Sequence, residues 1–175
     1  MKFKKQSINN NINSNPKIID EHIALPIVLN SLGTAVITIG NCIFNNLKTK
    51  TLLQIGDCQL SQYLSSQFNR NGCRQKYAIK VNAPTSNSSN RILDTMKNAD
   101  ILILSLKDEE EQLKMKECLT SYLNKYNHRR ILIIDVCHNE IELNLPKINN
   151  TFYFHLKDLM AFFTVPTEAK SKLLV

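Results

Sequence analysis

The chain has 175 residues and a mass of 20.0 kDa, with 43% hydrophobic and 21% charged residues. This length fits one domain with tails and excludes two full domains, and the composition excludes a fibrous or wholly disordered chain. Five cysteines without a CxxC pair, and no secretory signal, favour a reduced, cytoplasmic protein. The longest apolar runs are far shorter than the roughly 20 residues of a membrane span, so we expect no membrane association.

The formal charge of +7 is unevenly distributed along the sequence. Four lysines precede the first acid, Asp20, in an Asn-rich stretch, and we expect residues 1–20 to form a disordered basic tail. A second excess lies between Lys48 and Lys80, where six basic residues accompany one acid, Asp57. The basic balance alone is weak evidence about partners, because the four lysines that precede Asp20 supply more than half of it.

Apolar periodicity predicts alternating helices and strands after the tail. An apolar stripe with helical spacing follows Ser31, a candidate cap, and consists of Leu32, Val36, Ile39, Ile43 and Leu47. The predicted strands are Thr51–Ile55, Lys76–Val81, Ile101–Leu104, Ile131–Val136 and Thr151–His155. The helices between and after them are Leu60–Phe68 with an Asn71-Gly72 stop, a short helix at Ile92–Met96 after the loop Pro84–Asn90, a helix beginning at Glu109, and Leu156–Phe163 before Pro166.

This order and the near-continuously apolar strands predict an α/β fold. We expect a doubly wound, mostly parallel sheet of about five strands, Rossmann-like and forming a single domain over residues 27–163, with a tail over 164–175. Ligands of such sheets bind at the carboxyl ends of the strands where the strand order reverses. The residues predicted there are Gly56, Asp57, Cys58 and Gln59.

Some residues of this loop favour dinucleotide binding and others oppose it. A dinucleotide loop needs glycines where the backbone turns and approaches the pyrophosphate, and only Gly56 meets that need. Cys58 occupies the position of closest approach, and Asp57 adds a charge of the same sign as the phosphate. The alternatives to tight dinucleotide binding are a vestigial loop and a purely structural turn.

Other reactive residues have ordinary structural explanations. Cys137 and His138 are adjacent in an extended segment and therefore point to opposite faces, so we predict no metal site. Asp135 ends a strand, where it either orients a catalytic group or loop or caps the next turn. Cys42, Cys73 and Cys118 are expected to be buried as small hydrophobic residues.

Several segments, in serial order, resemble the central nucleotide-binding domain of glutamyl-tRNA reductase. The corresponding family patterns are S-V-G-S-A-A-V for Ser31–Val36, I-F-x-x-L for Ile43–Leu47, V-L-L-V-G for Leu52–Gly56, E-A-D-I-I-I for Asn98–Ile103, L-V-D-I for Ile133–Val136, and V-G-x-L-x-N-x-x-L-Y-x-V-D-D-L for Leu145–Leu159. Quinate/shikimate dehydrogenase and siroheme-synthase dehydrogenase domains share the fold, but the helix before the first strand and the Asn150…Asp158-Leu159 ending favour the reductase.

The resemblance implies an NADP-binding oxidoreductase domain of tetrapyrrole (porphyrin) biosynthesis, with cofactor contacts at Gly56–Gln59, Asn82 and Ser105. The sequence departs from the family patterns at these same expected cofactor contacts. The family's G-A-G-E loop is Gly56–Gln59 here, its A-N-R-T reads Val81–Pro84 without the arginine that would hold the 2′-phosphate, and its S-S-T reads Leu104–Leu106. NADP binding is therefore expected to be weak or lost.

The family's reaction also needs parts that this sequence does not match. A cysteine of an N-terminal domain attacks glutamyl-tRNA, and NADPH reduces the thioester to glutamate-1-semialdehyde. No cysteine precedes Cys42, and the family's dimerisation helix, which would begin near Leu156, has no full counterpart. We assign no catalytic residue and expect the isolated chain to be inactive, with a separately encoded catalytic domain as its partner. The alternative is a non-catalytic remnant or an interaction domain whose Lys48–Lys80 surface binds tRNA or a protein.

Overall fold

The computed structural model describes residues 21–79, 92–126, 128–137, 143, 145 and 147–164. The helices are α1 (Glu21–Phe44), α2 (Gln59–Arg70), α3 (residues 92–96), α4 (Glu109–Lys125) and α5 (Leu156–Thr164). The strands are β1 (Thr51–Ile55), β2 (Arg74–Ile79), β3 (Ile101–Leu104), β4 (Ile131–Asp135) and β5 (Thr151–His155).

The five strands form an all-parallel sheet in the order β2-β1-β3-β4-β5. The chain adds β2 on one side of β1 and then crosses to the other side to add β3, so the strand order reverses between β1 and β3. This confirms the predicted doubly wound, Rossmann-like architecture. Such a reversal leaves the loops after β1 and β3 diverging from a common crevice, which makes this the first place to look for a ligand site.

Helices cover both faces of the sheet because alternate strand residues point to opposite sides. One face packs against α1, α2 and α5, through residues such as Leu52 and Ile103. The other packs against α3, α4 and the segment around Leu143, through residues such as Leu53 and Leu102. The near-continuous apolar strands are thus explained by burial on both sides.

The turn between α2 and β2 confirms the predicted Asn71-Gly72 stop. Gly72 has φ +92, its N–H donates to the Asn69 carbonyl at 2.9 Å, and the Cys73 N–H donates to the Phe68 carbonyl at 3.1 Å. This pair of bonds is a Schellman motif, which ends the helix and leaves Cys73 buried at the start of the next segment.

Several predicted boundaries were wrong. Ser31 does not cap α1, because the helix begins at Glu21, passes through the apolar residues before Ser31 and leaves that serine in its interior. Leu47 is buried with the rest of its stripe but lies beyond the helix, which ends before Asn45 at φ 61. β2 begins at Arg74, because its pairing with β1 starts at Thr51↔Arg74. Minor differences are the end of β4 at Asp135 instead of Val136 and the end of α5 at Thr164.

Residues 1–20, the loop Pro84–Asn90 and the segment after Thr164, for which we predicted tails and a loop, lie outside the described residues. Within the described residues, none of the helices combines the length and apolar character that a membrane crossing requires.

Candidate functional site

The candidate site begins at the sharp turn that follows β1. Gly56 adopts φ +92, and a Cβ added there would overlap the backbone carbonyl of Ser105 at the end of β3. Only glycine fits this combination of a left-handed backbone and close approach. The structure therefore brings Gly56 and Ser105, two of the predicted site residues, into direct contact at the switch point.

Cys58 closes the amino end of α2. It is the N-cap residue, and its Sγ accepts a hydrogen bond from the Ser61 N–H at 3.3 Å. The Cys58 N–H in turn points at the Ser105 hydroxyl, 3.4 Å away. A helix N-terminus binds phosphate through its unsatisfied N–H groups, and here the Cys58 side chain already occupies one of them.

A buried network of neutral polar side chains lies beneath the loop. Gln54 donates from Nε2 to the Gly56 carbonyl at 2.9 Å and accepts at Oε1 from the Ser65 hydroxyl at 2.7 Å. The Ser61 hydroxyl donates to the Cys58 carbonyl at 2.8 Å, and the Ser105 hydroxyl lies 3.1 Å from the Ser61 oxygen. These groups fix the backbone of the loop from below and satisfy one another without any ligand.

Gln54, Ser61 and Ser65 were not among the predicted site residues. The sequence carries a signal for them: Gln54 is the single polar residue inside an apolar strand, and Ser61 and Ser65 are four residues apart, on one helix face. All three are buried and face the same side of the sheet. A polar residue within a buried strand is a sign of a network beneath a loop, because it must find partners there.

Acidic side chains predominate at the mouth of the candidate site. Asp57 is half-buried, and Lys107 Nζ lies 3.7 Å from its Oδ1. On the other face of the sheet, α4 begins at the same edge with the N-cap Asp108 and the run Glu109–Glu111. Carboxylates suit the positive end of a helix, but they also repel a pyrophosphate. Gln59, the first residue of α2, is exposed.

Asn82, the remaining predicted cofactor contact, lies outside the described residues, as do His138 and Lys80. The structure thus brings together Gly56–Gln59 and Ser105. Within the described residues, it contains no group of three or more His, Cys, Asp or Glu side chains placed to hold a metal ion.

Asp135 anchors a second polar cluster at the carboxyl edge, between β4 and β5. Its carboxylate is fully buried and accepts hydrogen bonds from the Tyr153 hydroxyl at 2.6 Å and the Cys137 N–H at 3.0 Å. The Leu143 N–H donates to the Tyr153 oxygen at 3.4 Å, so this cluster ties the chain after β4 to β5. Burial, and then the Asp135 carboxylate, raise the pKa of both the Tyr153 hydroxyl and the Cys137 thiol. Both predicted alternatives for Asp135 fit the geometry, because the bond from the Cys137 N–H caps the next turn and the link through Tyr153 to Leu143 orients the loop.

Within the described residues, two further buried polar side chains have atoms without a hydrogen-bond partner. His155 accepts a bond from the Lys157 N–H at Nδ1 but has no partner for Nε2, and the Gln112 amide has none for either end. The three cysteines predicted to be buried differ. Cys73 is buried, but Cys118 is half-buried and Cys42 is exposed, because α1 turns it away from the sheet.

Four of the six cations between Lys48 and Lys80 lie at the edge of the sheet opposite the Gly56 loop. Lys48 and Lys50 precede β1, Arg70 ends α2, and Arg74 begins β2. The Arg74 N–H donates to the Lys50 carbonyl at 2.9 Å, which joins the two turns. These cations are therefore gathered at the amino ends of the strands and contribute nothing to the Gly56 loop.

None of the protein-family models matches this chain, and a search of curated proteins yields no significant match.

Proposed function

We propose that the chain is a glutamyl-tRNA reductase-like NADP-binding domain, linked to tetrapyrrole biosynthesis, in which cofactor binding is weak or lost. The observation that carries this proposal is the turn at Gly56, which stands at the switch point in contact with Ser105. In this fold, that position receives the pyrophosphate of a dinucleotide.

The weakening follows from Cys58 and its neighbours. A second glycine would let the pyrophosphate lie against the backbone, but the Cys58 side chain fills this position and caps the Ser61 N–H. Asp57 places a negative charge beside the path of the phosphates, and Lys107, the cation near it, is largely exposed. The loop is held by its own buried network and gains little from a ligand.

Reduction of a thioester by hydride yields an aldehyde and releases a thiolate, so the reaction needs a reactive cysteine. Burial raises the pKa of Cys73 to about 11 and also raises that of Cys137, which keeps both thiols protonated at neutral pH. Neither is suited to attack glutamyl-tRNA. We assign no catalytic residue in this chain, and in this proposal the catalytic cysteine comes from another segment or a separately encoded chain.

Titration with NADPH, followed by fluorescence and calorimetry, tests the proposal. We expect a dissociation constant of about 1 mM or weaker for this chain, equivalent to about −4 kcal/mol. The double variant Asp57→Ala/Cys58→Gly restores the first three positions of the family's G-A-G-E loop. We expect it to bind NADPH at least about tenfold more tightly, a gain of about 1.4 kcal/mol.

Cys58→Ser is the matched control. A serine still caps the helix as a hydrogen-bond acceptor, and its side chain still obstructs the approach of the pyrophosphate. It should bind as weakly as the unmodified chain. A dissociation constant below about 100 µM for the unmodified chain, or about −5.5 kcal/mol, would contradict the weakened loop. If neither the chain nor the double variant binds at millimolar NADPH, the proposal of a cofactor domain fails.

A further inference from the structure

Cationic side chains gather at the amino edge of the sheet, the edge opposite the candidate cofactor loop. Every described turn that leads into β1, β2, β3 or β4 carries at least one of them. The cations are Lys48, Lys50, Arg70, Arg74, Lys97, Lys125, Arg129 and Arg130. The acids among these turns and α3 are engaged: Asp100 pairs with Arg129 at 2.9 Å, and Asp94 with Lys97 at 2.5 Å.

Hydrogen bonds between the turns make this a continuous surface. The Thr51 N–H donates to Asp100 Oδ2 at 2.9 Å, and Arg129 donates to Asp100 and to the Lys97 carbonyl. Arg130 Nη1 donates to the Ile43 carbonyl at 2.7 Å, which joins the turn before β4 to the end of α1. The cations therefore lie side by side on one edge and do not belong to separate faces.

The charges of helix ends account for only part of this arrangement. Cations are favoured at helix C-termini, and this explains Arg70 and Lys125 in the last turns of α2 and α4. It does not explain Arg74 and Arg130, which directly begin or precede strands. Among the described residues, the opposite edge carries Asp57, Asp108 and Glu109–Glu111 against the cations Lys107 and Lys157, so the described part of the sheet is more negative at its carboxyl edge than at its amino edge.

A groove with an aromatic wall opens beside this edge. It has a volume of about 390 Å³ and lies between α3 and the end of α4, lined by Leu93, Lys97, Tyr122, Lys125, Tyr126 and the Asp94 carboxylate, which pairs with Lys97. Tyr126 is half-buried, and its ring contacts Tyr122 with centroids 5.0 Å apart. Lys97 and Lys125 belong both to the groove and to the basic edge.

We propose that this amino edge binds single-stranded nucleic acid. The row of cations from Arg74 to Arg130 suits a phosphate backbone, and the groove offers the Tyr126 ring to an unpaired base. Charged grooves combined with stacking surfaces are the usual means of binding single strands without reading their sequence. This inference goes beyond the proposed cofactor domain and does not depend on it, because the two surfaces lie at opposite edges.

Binding of a labelled RNA of about 20 nucleotides, and of a DNA of the same sequence, tests the proposal with the full chain. The test variant is Arg70→Gln/Arg74→Gln/Lys125→Gln at the amino edge. The control, Lys107→Gln/Lys114→Gln/Lys157→Gln, removes the same charge on elements at the carboxyl edge. Both keep the lysines of residues 1–20, so the comparison isolates the edge.

We expect the test variant to bind RNA about 10- to 100-fold more weakly, and to reduce the slope of log K against log salt by about 2. The control should change affinity by less than about threefold. Equal losses in the two variants would overturn the assignment to this edge, as would a lack of RNA binding by the unmodified chain.

Tyr126→Leu separates nucleic acid from other polyanions, since leucine keeps apolar packing but cannot stack on a base. We expect it to weaken binding of RNA or DNA at least about fivefold while leaving heparin binding unchanged. If Tyr126→Leu affects neither, or if heparin or vesicles rich in phosphatidylserine bind more tightly than the nucleic acids, the surface is a general anion site and the proposal is wrong.

Discussion

At the carboxyl edge of the sheet, buried polar side chains hold the turns through hydrogen bonds, and Asp135 is the charged group among them. At the amino edge, exposed and half-buried charged side chains hold the turns. Gln54, Ser61 and Ser105 surround the loop after β1, and their polar atoms bond one another. At the other edge, Asp100 joins β1 to Arg129, and the surrounding cations remain in contact with solvent.

This difference in how the turns are held affects how favourable it would be for a partner to bind at each edge. A ligand at the carboxyl edge must compete with hydrogen bonds that the loop already makes, which costs the free energy of those bonds. A nucleic acid bound at the amino edge, as we propose, would meet hydrated cations and release the counterions condensed on its own phosphates, which favours binding. Each prediction below tests one side of this contrast.

The largest effect is expected at the two glycines with φ +92, one at each edge. Gly56→Ala forces a Cβ into the Ser105 backbone, and we expect it to destabilise the protein by about 3–5 kcal/mol. Gly72→Ala meets Lys48 Cγ at 2.8 Å and Lys48 Cα at 3.4 Å, a less severe overlap, and should cost about 1–2 kcal/mol. Urea unfolding of both variants measures the difference, and equal losses would show that the carboxyl-edge turn is no more tightly packed than the other.

The sequence predicted the elements well where one physical signal dominated. Thr51–Ile55 and Ile101–Leu104 were predicted to the residue, because polar or turn residues flank each apolar run. Ser31 misled the prediction, since a serine suits both a cap and an exposed helix position. Only the burial pattern upstream of it could have separated the two, and a single sequence does not provide that pattern.

The buried Asp135–Tyr153 pair gives the next effect. Tyr153→Phe removes the hydroxyl between the carboxylate and the Leu143 N–H and leaves a buried charge without this partner. We expect a loss of about 2–3 kcal/mol in unfolding free energy at neutral pH. Tyr63→Phe is the matched control, because the Tyr63 hydroxyl bonds Asn30 at an exposed site, and should cost less than about 0.5 kcal/mol. A loss no larger than the control's would mean that the cluster does not hold the chain after β4.

Alkaline pH should destabilise the amino edge through Cys73. Burial, and then the charge of Asp100, raise the pKa of this thiol from 9.0 to about 11. The unfolded chain loses the proton first, so the contribution of Cys73 is fully present below pH 9 and is lost as the pH rises to about 11. Tyr122, whose pKa burial raises to about 12, extends the decline to higher pH.

Urea unfolding under reducing conditions at several pH values measures this decline. We expect Cys73 to account for about 2 kcal/mol of it. Cys73→Ala should remove that part of the decline, whereas Cys42→Ala, at an exposed position, should leave it intact. The same steepness in all three proteins would exclude Cys73 as the titrating group.

The sequence predicted where the candidate site lies but not the contacts between its residues. Gly56 marked the end of β1, and alternating elements placed it at the switch point. The contact of Gly56 with Ser105 joins residues far apart in the chain, and no local pattern encodes it. The gathering of Arg74, Lys125 and Arg130 at one edge was missed for the same reason: they are distant in sequence and adjacent only through the parallel topology.

The smallest effect tests whether charge holds the amino edge together. Asp100→Asn keeps an acceptor for the Thr51 N–H but removes the ion pair with Arg129, whose side chain is 26% exposed. We expect a loss of about 1 kcal/mol, more than the loss of less than about 0.5 kcal/mol for Asp94→Asn, whose pair with Lys97 is exposed. Because salt screens exposed pairs more than half-buried ones, the Asp100→Asn loss should persist at about 0.5 M NaCl while that of Asp94→Asn disappears. Identical, salt-sensitive losses would show that the Asp100–Arg129 pair is no more than a surface contact, and that backbone hydrogen bonds alone align the turns beneath the basic edge.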